Sequence, residues 1–216
     1  MCFRVECMDM WLPDTTNARV LAQTPLDEDY VEHSRFTGAD WSGVDQSAAT
    51  FDSCSLTAVG LDGCSWDKAR VVNSELHNLS VAHLQAPESS WERAVIEGSR
   101  LGVLELRDSR IKHVVIRDCK IDVLNLRAAR CTHLMIEGCA IGELDATGAT
   151  ISHVEFADTS VETLTVSQSH LHRANLSGAL MHKVLGASSL RGAEISEFQL
   201  QQLAPTFAQE LGISVC

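Results

Sequence analysis

Apolar side chains recur at every fifth residue over most of the chain. Starting at Phe36 and stepping by five, the column runs through Trp41, Phe51, Leu56, Leu61 and Trp66 and ends at Met181. It holds 30 positions (36 to 181 in steps of five), of which Gln46 alone is strongly polar. A helix repeats every 3.6 residues and a strand every two, so neither keeps each fifth side chain on one face over such a length. A chain that turns a corner every five residues does. Each side is then a very short strand, and four sides close a coil of twenty residues.

A second column stands two residues before each centre: Val44, Ala49, Cys54, Val59, Cys64, Ala69 and onward. Strand alternation points it inward as well. From Ser99 it alternates in size, as in Ser99, Leu104, Ser109, Val114, Cys119 and Leu124. A period of ten makes opposite faces of the coil alike and adjacent faces different, and predicts a slightly rectangular section. Gln46 and the Gln85-Ala86-Pro87 segment read as loosened corners. After Met181 the centres move to Leu185, Leu190 and Ile195, which predicts a short corner between Met181 and Leu185. Phe36, Trp41, Trp66, Trp91, Ile116, Ile136 and Phe156 are expected in the structural core. Six-residue left-handed helices are excluded by the five-step column, and leucine-rich repeats by its lack of a helical or irregular stretch.

With these columns in place, the chain resembles the pentapeptide-repeat family, whose unit is a small residue, Asp or Asn, an apolar centre and two variable residues. Ala39-Asp40-Trp41, Ala174-Asn175-Leu176 and Ala193-Glu194-Ile195 match it best, and about three quarters of the chain follows the period. The resemblance implies an all-β solenoid, a right-handed quadrilateral β-helix, here of about eight coils with a C-terminal capping helix.

Both ends of such a rod are open sheet edges that need covering. Residues 1–33 lack the five-step pattern and read as an N-terminal cap, 34–195 as the β-helix, and 196–216 as a C-terminal helix and tail. In that last segment Leu200, Leu203, Ala204, Phe207, Ala208 and Leu211 form one helical stripe. Ser196 with Gln199 predicts a capping box, Gly212 a stop, and Pro205 a kink or a split. The segment is similar to the terminal module of gyrase-interacting pentapeptide proteins, which caps the coil and joins two copies. The resemblance therefore implies a homodimer through Leu200, Leu203, Phe207 and Leu211.

Composition adds constraints. The chain has 216 residues and a net charge of −12. The first 33 residues and the last 21 are acidic, whereas residues 34–195 hold 20 acidic and 15 basic groups. Direct nucleic-acid binding is not expected from a chain of this charge. No apolar run is long enough for a membrane span, and no leader pattern opens the chain, so a cytoplasmic protein is expected.

Cys54, Cys64, Cys119 and Cys139 fall in the small inward column and Cys131 is a centre, so they read as buried structural thiols. Cys2 and Cys7 lack a partner pair at zinc spacing. His113, His133 and His153 are twenty apart and form one outward ladder. It reads first as an exposed polar column, because rings on a straight ladder do not converge on a metal; proton sensing is the alternative. Arg100, Arg107, Arg110, Lys112, Arg117 and Lys120, followed by Arg127 and Arg130, make a central basic belt against Glu105, Asp108, Asp118 and Asp122. Arg107 stacks on Arg127 and Arg110 on Arg130.

No phosphate-binding loop, nucleophile elbow or zinc-protease motif is present, so neither catalysis nor a cofactor or metal is expected. The resemblance implies a non-enzymatic protein-interaction scaffold, with DNA gyrase as a partner of DNA-mimic members. The basic belt departs from that pattern. The alternative is a scaffold that meets an unrelated acidic partner through Arg107, Arg110, Arg127 and Arg130.

Overall fold

A computed structural model describes residues 12–21 and 29–214. The chain winds into a four-sided right-handed β-helix of about eight coils, closed by one C-terminal helix. Side one is centred on Val31, Phe51, Val71, Trp91, Ile111 and so on to Leu171; side two starts at Phe36, side three at Trp41 and side four at Gln46. All strand pairs are parallel, and from Tyr30 to Leu185 they join residues twenty apart, as in Ile111↔Cys131, Ile116↔Ile136 and Ile121↔Ile141. The first pair differs: Arg19–Leu21 lies beside Ser34–Thr37 at an offset of fifteen.

Every centre from Phe36 to Met181 is buried except Leu171, which is half-buried. The coil also includes Val31, 2% exposed, one side before the column from Phe36. The expected core residues are all there. Phe36 and Trp41 meet edge to face at 4.8 Å, and Trp41, Phe51, Trp66 and Trp91 continue as a stack. Each buried centre contributes roughly 1.5–3 kcal/mol, gained only against neighbouring coils, so stability accumulates coil by coil. The gaps between coils five and eight are lined by aliphatic side chains such as Leu134, Ile151 and Leu171.

The second column decides how each corner is made. Ser74 hydroxyl donates back to the Val72 carbonyl at 2.7 Å and accepts from the Cys54 amide. Such a residue folds a tight corner, and in coils one to three the strands of sides one and two stay three or four residues long. Where Ala94, Val114, Leu134 and Val154 replace the polar residues, no such bond forms. The strand then runs through the corner, as in Ser90–Glu97 and Arg110–Arg117. The opposite corner does the same beneath Leu84, Leu104 and Leu124. Size alternation in the sequence is thus corner type in the structure.

Three sequence-based expectations need correction. Gln46 is 4% exposed and its backbone N–H donates to the Ser65 carbonyl, and Ala86 is fully buried, so neither site is a loosened corner. The hydrogen-bond ladder holds both in register whatever the side chain. Leu185 is not a centre. It pairs in register with Thr165, points outward and is 41% exposed, while Val184 fills the core. The chain loses its residue only afterwards, where Gly186 takes a φ of 74° and Ala187–Leu190 form a short 3-10 helix; Asn175 then pairs with Glu194, nineteen residues on. A Cβ at Gly186 would stand 2.5–2.7 Å from Ser167, so glycine is required for this approach.

The terminal helix, α1 (Glu197–Glu210), runs unbroken through Pro205. Proline removes one backbone donor, but the helix stays anchored on both sides of it by Leu203 and by Glu210.

Candidate interaction surface

Among the described residues, no group of three side chains is placed to hold a metal ion, and no helix is long and apolar enough to cross a membrane. The chemistry of the rod lies on its outside. Each side presents the residues flanking its centre, and each corner presents a turn residue. Five of these features carry information.

The first is the basic belt. Arg107 and Arg127 end side four, and Arg110 and Arg130 begin side one, so all four flank the same corner in adjacent coils. Arg110 and Arg130 are register partners, and Asp108 of the intervening turn donates its amide to the Arg127 carbonyl at 2.8 Å. Arg107 meets Glu105 at 3.4 Å and Arg127 meets Asp145 at 3.6 Å. Arg110 and Arg130 are exposed and reach no carboxylate within 4 Å among the described residues. Elsewhere in the belt, Lys112 pairs with Glu92, and Arg117 with Glu97. Arg100 and Lys120 stack on side three, away from the quartet.

The second is the histidine ladder, at the corner between sides one and two. His113, His133 and His153 take φ values of 55°, 58° and 58°, a region that histidine visits more readily than most residues. Their rings are 4.7 and 4.5 Å apart between centroids, and the last two are almost parallel. Stacked rings aim their nitrogens sideways, not at a shared point. Arg173 of the next coil lies 3.0 Å from Nε2 of His153, and His172 meets that ring edge-on. Burial, then the positive charge of Lys112, holds His113 below the ordinary histidine range; burial, then the flanking histidines, does so for His133.

The third was not anticipated. Val95, Val115 and Met135 stand in an outward column of side two yet are 2–7% exposed. Leu12 packs on this trio, and the N-terminal segment is tied down further along the same side: Thr15 donates to Glu75 at 2.9 Å, and Arg35 donates to the Thr15 carbonyl. Residues 12–18 thus lie along the flank of the rod. The signal was in the sequence: three apolar residues twenty apart in a column that should be polar. Beside them His77 bridges Glu75 and Glu97, each at 3.2 Å, and its bond to Glu75 raises its pKa.

The fourth is the thiol set. Cys54, Cys64, Cys119, Cys131 and Cys139 are all buried. Cys119 and Cys139 donate to the Arg117 and Glu137 carbonyls, as Ser99 and Thr159 donate to Glu97 and Ala157 in the coils before and after them. They act there as hydroxyl equivalents. Cys131 sits among aliphatic centres, and burial pushes its pKa up to about 12.

The fifth is α1. Its capping box is complete, with Ser196 and Gln199 bonded reciprocally. Leu203 is buried against the last coil and Phe207 is half-buried on the core. Leu200 and Leu211 lie 53% and 74% exposed on the neighbouring strip of the helix. The predicted stripe therefore divides between the coil end and the surface. Residues 1–11, with Cys2 and Cys7, and Val215 and Cys216 of the tail lie outside the described residues.

No protein-family model and no curated protein matches the chain. Solved structures do. A trypsin-treated form of QnrB1, a plasmid-mediated fluoroquinolone resistance protein, aligns at 15% identity over 92% of this chain and 98% of its own, with a TM-score of 0.41. Full-length QnrB1 aligns at 15% identity over 91% and 97%, with a TM-score of 0.35. HetL, a pentapeptide repeat protein involved in heterocyst differentiation regulation in the cyanobacterium Nostoc, aligns at 16% identity over 78% and 90%, with a TM-score of 0.38. The five-residue column in the sequence and the twenty-residue coil in the structure agree residue by residue: the chain has the pentapeptide-repeat β-helix fold.

Proposed function

We propose that the chain is a non-enzymatic interaction scaffold that docks an acidic protein through Arg107, Arg110, Arg127 and Arg130. The observation that carries this reading is the gathering of four guanidinium groups at one corner, two of them with no carboxylate within 4 Å among the described residues. Like charges stacked about 4.8 Å apart repel, and an anionic partner removes that cost. Guanidinium groups also match carboxylates in a two-pronged geometry, which favours a defined partner over a diffuse counter-ion cloud. A Glu-rich peptide immobilised on a sensor tests it. Arg110→Glu with Arg130→Glu should abolish binding of the full chain, whereas Lys183→Glu, far from the corner, should not. Equal binding by all three proteins refutes the assignment.

A second reading is a DNA mimic acting on DNA gyrase. Its support is the charge of the first three coils, where residues 31–90 carry eight acidic and three basic groups. The next three coils, 91–150, balance nine against nine, so an acidic rod would end partway. Gyrase supercoiling with and without a quinolone decides it: no effect at micromolar protein removes the mimic. A homodimer through Leu200, Leu211 and Phe207 fits either reading, and Leu200→Asp with Leu211→Asp should halve the mass seen by light scattering if it forms.

A further inference from the structure

From the Arg70 rung onward, side one is predominantly positive, whereas its first two coils carry Glu32 and Asp52. Its leading column presents Arg70, Arg110, Arg130 and His170, all exposed, separated by Ser90 and Thr150. Its trailing column adds Lys112 and His172, again among hydroxyl residues. The corner beyond continues with Arg93, the three stacked histidines and Arg173. From coil three to coil eight the only carboxylate on these three columns is Glu92, which is engaged by Arg93 and Lys112, each at 3.0 Å. The face is a flat parallel sheet, about 24 Å from the Arg70 rung to the His170 rung and about 10 Å wide.

We propose that side one binds an extended acidic polypeptide laid along the rod axis, and that protonation within the stacked histidine ladder, at His113 and His133, tightens the grip. This rests on the scaffold reading above and deepens it. The charge pattern fits a peptide better than a duplex. An extended peptide of roughly seven residues spans the face. A longer, wider polyanion would also meet the acidic first coils, where repulsion is felt within a Debye length of about 8 Å.

The proton link follows from the stacking. Two imidazolium rings at 4.5–4.7 Å repel, so the ladder resists charging in the unbound rod. Lys112 and Arg93 beside His113 add to this, and Glu92 opposes it; Arg173 and Glu155 flank the far end of the ladder. The lowered pKa values of His113 and His133 agree. Carboxylates aligned along the corner add negative charge beside the stacked rings and favour their charged form, so binding takes up protons. Uptake of one proton makes affinity rise about tenfold per unit fall in pH.

The test uses the full chain and a poly-L-glutamate probe, titrated by fluorescence anisotropy at pH 7.8 and pH 6.0 in constant salt. The wild type should bind more tightly at pH 6.0 by about tenfold or more. His113→Asn, His133→Asn and His153→Asn together keep residues that tolerate positive φ and cannot titrate. That variant should bind at pH 7.8 as the wild type does and lose the gain on acidification; His133→Asn alone should lose part of it. A triple variant that keeps the full pH dependence overturns the proposal. Arg110→Glu with Arg130→Glu should lose binding at both pH values. If it binds normally while the wild type keeps its pH slope, the scaffold reading fails and the ladder's proton linkage stands. Tighter binding of a single-stranded oligonucleotide than of poly-L-glutamate overturns the choice of a polypeptide.

Discussion

Gln199→Leu should undock the terminal helix without unfolding the rod. The Gln199 side chain is 2% exposed. Its amide donates to the carbonyls of Leu176 and Ala179 at 2.7 and 2.5 Å, and its oxygen accepts from the Ser196 amide at 2.7 Å. One residue therefore completes the helix start and covers two carbonyls at the open end of the last coil. Leucine fills the space and satisfies none of the three groups. A buried group left unpaired costs about 1–3 kcal/mol, so the loss falls in the range of about 3–9 kcal/mol if the helix stays docked. The helix holds by little beyond Leu203, Phe207 and the Glu210 bond to the Ala187 amide, so it should release instead. Coils contact only their neighbours, which confines the damage to the last coil. Hydrogen exchange should show lost protection at 174–185 and in α1, with coils two to six unchanged, and limited proteolysis should cut within 196–210. Unchanged exchange at the last coil would refute the claim that this side chain seals the end. A cooperative loss of the whole rod would refute the coil-by-coil account of its stability.

Other consequences are simpler to check. Cys119→Ser and Cys139→Ser should each shift the melting temperature little, since serine and threonine already serve at 99 and 159, whereas Cys131→Ser buries a hydroxyl among aliphatic centres and should cost about 1–3 kcal/mol in chemical denaturation. His113 and His133 have folded pKa values below the ordinary value, so the unfolded chain binds more protons and stability should fall as pH drops below about 6.5; the triple asparagine variant should flatten that limb of a melting-temperature profile. His77 runs the other way, because its folded pKa is raised. Its contribution is complete below the ordinary value and is lost as pH rises through the folded one, a limb that His77→Gln should remove. Met135→Lys places a charge under the segment anchored by Leu12 and should speed proteolysis of residues 12–18 while leaving the coil's circular dichroism intact.

Much of this protein was legible in its sequence. A period of five, sustained from Phe36 to Met181, admits one backbone path, and the inward second column with its alternating size already encoded which corners are tight. The basic quartet and the histidine ladder were also visible, because a twenty-residue coil turns sequence spacing directly into stacking. Ser196 and Gln199 announced the helix start by their spacing alone. These features are local or strictly periodic, and such features survive translation from one dimension to three.

What the sequence left open depends on surfaces meeting without a period. Gln46 and Leu185 were misjudged because backbone register, not side-chain character, decides what enters the core. The flank occupied by Leu12 and Thr15 is set by packing between segments some sixty to a hundred and twenty residues apart, for which no spacing rule exists. The stripe on α1 named its apolar residues, but only docking against the last coil decided that Leu203 is covered and that Leu200 and Leu211 face outward. The positive stretch of side one likewise emerged only when Arg70, Arg173 and the ladder were seen on adjoining columns. Periodicity determines where each residue sits within its coil; the contacts between unlike segments decide which of those positions water can reach.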